Sequence, residues 1–81
     1  MAYEFALKGK RYQAPTFAEL SAIYSGLRDA AGLGASRFPT PAIREVGFPM
    51  PGYRFSYNGR IWRNQPWTPD ATPIYDNRAA A

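Results

Sequence analysis

The chain has 81 residues, enough for one small domain with a single modest core. At 46% hydrophobic and 16% aromatic residues it is too apolar to be a disordered chain, yet no run approaches the roughly 18 apolar residues of a membrane-spanning helix. The net charge is +4 and cysteine and histidine are absent, which excludes disulfides, thiolate or imidazole metal ligands, cysteine nucleophiles and histidine acid–base chemistry.

Alternation over residues 3–12 predicts a hairpin turning at Lys8-Gly9. In that register Phe5 faces Tyr12 and Leu7 faces Lys10. Phe5, Leu7 and Tyr12 form a core face; Glu4, Ala6, Arg11 and Gln13 form the opposite one. Pro15 then leads into Thr16-Phe17-Ala18-Glu19, a capping box that opens a helix over 16–32. Phe17, Leu20, Tyr24, Leu27 and Ala31 recur at helical spacing, supported by Ile23, and Gly32 or Gly34 supplies a left-handed cap. Gly26 costs roughly 1 kcal/mol inside a helix. It marks either a weak point on the surface or a place where another chain crosses closely.

Residues 35–41 read as extended chain around Pro39 and Pro41. Residues 42–48 fit a short strand or a single helical turn, because Ile43 and Val46 are out of phase for simple alternation. Pro49-Met50-Pro51-Gly52 is a turn that delivers Tyr53 into a second hairpin. That hairpin, over 53–62, echoes the first at a constant offset: Tyr3 matches Tyr53, Phe5 matches Phe55, Gly9 matches Gly59, Lys10 matches Arg60 and Tyr12 matches Trp62. Shared turn grammar explains the echo more simply than duplication. Asn58-Gly59 predicts a two-residue type I′ turn. Phe55 then faces Trp62 and Arg54 faces Arg63. Phe55, Tyr57 and Trp62 point to the core, while Arg54, Ser56, Ile61 and Arg63 point outward.

From Asn64 onward prolines break any periodicity, so this segment packs on the domain or on a partner, and its last residues fray. The expectation is an α+β fold, with two antiparallel β-hairpins packed on one central helix. A single domain spans 1–63 and an irregular Pro-rich segment spans 64–81.

No catalytic or metal constellation stands out. Gly32-Leu33-Gly34-Ala35-Ser36 follows a helix instead of opening one, and it lacks the Lys-Ser/Thr pair of a phosphate loop. Ser36-Arg37 reads as part of a helix cap before a phosphate site. The six carboxylates are scattered, with no pair spaced for acid–base work. No enzyme activity, cofactor, metal or small-molecule substrate is therefore expected. The opening residues lack the basic-then-apolar order of a signal peptide, and with no cysteine the expected location is cytoplasmic, away from membranes.

Two functional classes remain. The first is a protein-interaction or structural accessory module, part or regulator of a larger assembly, that engages another protein or a second copy. Proline-rich segments, abundant Tyr, Trp and Arg, and sheet edges suit it, with Trp67 and Tyr75 as interface aromatics. The second is a small basic nucleic-acid-binding protein that contacts phosphates through Arg54, Arg60 and Arg63, joined by Lys10 and Arg11. In the expected register the hairpin aromatics face the core, so phosphate contacts come without base stacking. The interaction module ranks first for that reason.

Overall fold

A computed structural model, describing residues 2–32, 34, 37–66 and 68–76, places one helix against one face of a five-stranded sheet. The elements are β1 (Tyr3–Leu7), β2 (Lys10–Ala14), α1 (Phe17–Ala31), β3 (Ala42–Glu45), β4 (Tyr53–Phe55) and β5 (Ile61–Arg63). The strand order is β2-β1-β3-β4-β5, with every neighbour antiparallel. The fold is α+β, and two hairpins flank the central strand β3. None of the described helices is long and apolar enough to cross a membrane.

The first hairpin takes the expected register, Phe5 opposite Tyr12 and Leu7 opposite Lys10. Lys8 and Gly9 both adopt positive φ, 51° and 81°, as a two-residue type I′ turn requires. The helix is capped as its ends imply. The Thr16 hydroxyl accepts the Glu19 N–H at 3.2 Å, and Gly32, at φ 66°, donates its N–H to the Arg28 carbonyl at 3.2 Å. Gly26 is exposed, with nothing within 4 Å of the place a Cβ would take, so no strand of this fold crosses there.

Residues 42–45 form a strand. Val46 falls in the following turn with Gly47 and is 43% exposed, while Ile43 is fully buried. The phase conflict between them disappears because only Ile43 belongs to the strand. β3 then joins the two hairpins, Glu4 pairing with Arg44 on one side and Ala42 with Arg54 on the other.

The second hairpin departs from expectation by one residue. Phe55 pairs with Ile61, Arg54 with Trp62, and Tyr53 with Arg63. The turn has three residues, Tyr57-Asn58-Gly59, and only Gly59 takes positive φ, 91°. The Ser56 N–H donates to the Arg60 carbonyl at 2.9 Å, and the Gly59 N–H donates to the Ser56 carbonyl at 2.9 Å. Asn58 stays out of the left-handed region because its side chain has better work. Its Oδ1 accepts the Ser56 hydroxyl at 2.5 Å and the Arg60 N–H at 3.2 Å. A one-residue slip turns each side chain to the opposite face. Ile61 therefore enters the core in place of Trp62, and Arg54 faces Trp62 instead of Arg63. Burial chemistry agrees: Ile61 has no polar atom to satisfy, whereas the Trp62 indole N–H finds the Ser56 hydroxyl oxygen at 3.0 Å on the outer face.

The core comprises Phe5, Leu7, Ala14, Leu20, Tyr24, Phe38, Ile43, Phe55 and Ile61. Tyr24 and Phe55 stack at 4.2 Å with an interplanar angle of 9°, and Phe5 meets Phe55 edge-on at 5.0 Å. Burial pushes the Tyr24 hydroxyl up to about 12, and it donates to the Pro39 carbonyl at 2.8 Å. The helix also grips the second turn. The Ser21 hydroxyl donates to the Gly59 carbonyl at 2.7 Å, and Arg28 donates to the Tyr57 carbonyl at 2.9 Å while lying over the Tyr57 ring.

The Pro-rich segment returns to the sheet. The Ile61 N–H donates to the Tyr75 carbonyl at 2.9 Å, the Ile74 N–H donates to the Ile61 carbonyl at 2.8 Å, and Arg60 pairs with Asp76 at 3.1 Å. This bridge covers the Ile61 end of the outer edge of β5. At the other end of the sheet, no strand pairs with the outer edge of β2 among the described residues.

Candidate interaction surfaces

The helix covers one face of the sheet, and the Pro-rich segment borders part of the other. Alternation assigns Arg11 and Gln13 of β2, Glu4 and Ala6 of β1, Ala42 and Arg44 of β3, Arg54 of β4 and Trp62 of β5 to this outer face. Arg11, Ala6, Ala42, Arg54 and Trp62 thus cross it as a band in which two small residues separate longer ones. Ala6 and Ala42 floor a shallow cleft of about 250 Å³ with Arg11, Arg44 and Pro51 at its sides.

Glu4 anchors this face. It is 6% exposed and accepts hydrogen bonds from Arg44, whose Nε lies 2.9 Å away and whose terminal nitrogen also pairs with it, and from Gln13 at 3.1 Å. The Arg44 hydrogen bond, then the Gln13 one, holds the Glu4 carboxyl below the ordinary value, against the opposing effect of burial.

A second cleft of about 280 Å³ lies between the outer face of the β4–β5 hairpin and the Pro-rich segment. Arg54, Trp62 and Arg63 border it from the sheet, and Thr68, Asp70 and Thr72 from the segment. Asp70 accepts the Thr68 hydroxyl at 2.7 Å, which holds its carboxyl below the ordinary range.

The arginines and aromatics singled out in the sequence separate into distinct places. Arg54 and Arg63 both line the second cleft, but they do not share the outer face as expected: the slipped register sets Arg63 opposite Tyr53, on the face away from Arg54 and Trp62. Arg60 is half-buried and ion-paired with Asp76. Lys10 and Arg11 are exposed on β2, on opposite faces, and far along the strand order from the other three. The five cations do not form one patch. Tyr75 packs against the core cluster and bridges to Ile61, so its ring is partnered within the chain. Trp67 lies outside the described residues, as do Ser36 and residues 77–81.

Two features escaped the sequence reading. Trp62 reaches the arginine face only through the three-residue turn, and nothing but the hydrogen-bonding capacity of Ser56 and Asn58 hinted at it. The β3–β4 loop exposes Val46, Phe48 and Met50, at 43%, 56% and 74%. Prolines on either side of Met50 forbid a regular element there, and that pattern was visible as a sign that these side chains have no core to enter.

No family model, curated protein or solved structure matches this chain.

Proposed function

We propose that this chain is a small, non-enzymatic protein-interaction module that docks on another protein through its β3–β4 loop. One observation carries the reading: Phe48 and Met50 are more than half exposed, and Val46 adds a third apolar side chain to the same short loop. Isolated exposed apolar residues are ordinary on small proteins, but three within five positions of a proline-stiffened loop form a tip. Phe and Met are enriched where proteins meet. Pro49 and Pro51 limit the loop's freedom before binding, which lowers the ordering cost on contact. The partner that fits is a protein with an apolar pocket, and a net charge of +4 favours one with an acidic rim.

A photo-crosslinking phenylalanine analogue at position 48, expressed in the native cell, tests this. The expected result is one dominant adduct that excess unlabelled parent chain suppresses and a Phe48→Ser, Met50→Ser chain does not. Because both side chains are exposed, the double substitution should leave the melting temperature nearly unchanged. An adduct of twice the chain mass identifies a second copy as the partner. A diffuse set of adducts that the parent chain does not suppress rules the reading out.

A further inference from the structure

The cleft between the β4–β5 hairpin and the Pro-rich segment carries an inference separate from the docking loop. We infer that it is a nucleotide site, in which the Trp62 indole stacks on a base while Arg54, its neighbour on the outer face, takes the phosphate.

Charge supports this first. Arg28, Arg44 and Arg60 are each ion-paired within the chain. Arg54 and Arg63 make no ion pair among the described residues, and both border this one cleft. Arg54, on the same face as Trp62, offers an anion a planar fork that matches phosphate oxygens, and with Arg63 also lining the cleft its cations outnumber the one carboxylate there, Asp70.

The aromatic neighbour narrows the anion. Trp62 lies directly across from Arg54 on the outer face, within the 4.5–5.5 Å or so that separates facing residues of adjacent antiparallel strands. Its indole N–H donates to the Ser56 hydroxyl oxygen at 3.0 Å, and that hydroxyl donates to Asn58 at 2.5 Å. The turn that brings Trp62 outward therefore also holds its ring in place. A ring fixed before the ligand arrives gives up little freedom on stacking. A bare phosphate would need Arg54 and not the indole; a planar group bearing a phosphate uses both.

The opposite wall narrows it again. Asp70 supplies a carboxylate acceptor, with the Thr68 and Thr72 hydroxyls beside it. An acceptor across the cleft from Arg54 suits a ligand that carries N–H or O–H donors at one end and negative charge at the other. A nucleoside phosphate has both, from its base amine or sugar hydroxyls and its phosphate. At about 280 Å³ the cleft is near the lower end of small-molecule sites, with room for one such unit. That unit is a free nucleotide or one residue of a single strand.

Isothermal titration of the full chain separates these outcomes. Adenosine monophosphate and an oligo(dA) of about a dozen nucleotides are titrated at two salt concentrations, with phosphotyrosine as a second phosphate-bearing aromatic. Saturable binding of adenosine monophosphate is expected, weakened about tenfold or more by Trp62→Leu and by Arg54→Gln. If the strand binds no tighter than the monophosphate, the source is a free nucleotide. If it binds at least about tenfold tighter, the source is single-stranded nucleic acid, and Arg54→Gln should then lower the log–log salt slope by about one unit. Chemical shifts of the core amides show whether each variant keeps the fold. The Phe48→Ser, Met50→Ser chain should bind as the parent does, which keeps this site independent of the docking loop. No saturation with either nucleotide probe, equal affinity for phosphotyrosine, or folded variants that bind like the parent would overturn the assignment.

Discussion

Glu4 is a carboxylate taken out of water and matched by two donors, Arg44 and Gln13. Burial alone would disfavour its charge, but the hydrogen bonds prevail and the carboxyl sits below its ordinary value of 4.5. Its folded form thus binds a proton less readily than its unfolded form. The resulting stability is present above the ordinary carboxylate range and is lost as pH falls through the lower folded value. Arg44→Gln removes the main cause and leaves burial to act. The gap in urea midpoint between parent and variant should be widest at neutral pH and should close on acidification. A gap that stays constant across the acid range would show that Arg44 acts through packing alone. The pairing also matters for the outer face, because Arg44, neutralised here, adds no net charge to it.

At the level of elements, the two hairpin turns look alike in sequence and differ in build. Gly59 must hold φ 91°, where an alanine is strained, so Gly59→Ala should destabilise by about 1–2 kcal/mol. Gly26 sits on an open helical surface, and Gly26→Ala should stabilise by up to about 1 kcal/mol. Urea melts of the two variants should move in opposite directions, and shifts of the same sign would contradict the glycine assignments. Most of the architecture was legible before the fold was seen. Alternation fixed Phe5 and Leu7 inward, and Thr16 and Gly32 marked the ends of α1. The second register was not legible, because Asn58-Gly59 satisfies a two-residue and a three-residue turn equally at the level of residue type. The choice fell to contacts distant in sequence: Ile61 filling the core beside Phe55, and Ser21 of the helix holding the Gly59 carbonyl. Of the candidate contact residues, Arg54 and Arg63 both line one cleft, but from opposite faces of the hairpin and not as the facing pair expected. Local pattern gave their chemistry, and the long-range register gave Arg54 the company of Trp62.

In the whole molecule, the Pro-rich segment is tied to the sheet through backbone bonds at Ile61 and through the Arg60–Asp76 pair. Proline leaves such a segment few hydrogen bonds of its own, so it depends on these few anchors. Truncation after Gln65 removes them together and opens one wall of the nucleotide cleft. The Ile61 amide should then exchange with solvent at least about tenfold faster, while amides in the helix, such as that of Tyr24, change much less. Uniform acceleration across the chain would mean instead that the segment supports the entire fold. An unchanged Ile61 amide would mean that another group protects it.

The partly covered edge at β5 and, among the described residues, the unpaired one at β2 have a consequence for assembly. Growth of a sheet from molecule to molecule requires two receptive edges, one to offer and one to accept. Here Ile61 already holds Tyr75 on one side. Among the described residues the edge with no partner at all is that of β2, and β2 against β2 is a two-fold arrangement that closes on itself. The Ile61–Tyr75 bridge therefore leaves β2 as the more receptive edge among the described residues, and favours a closed pair of copies over an extended stack.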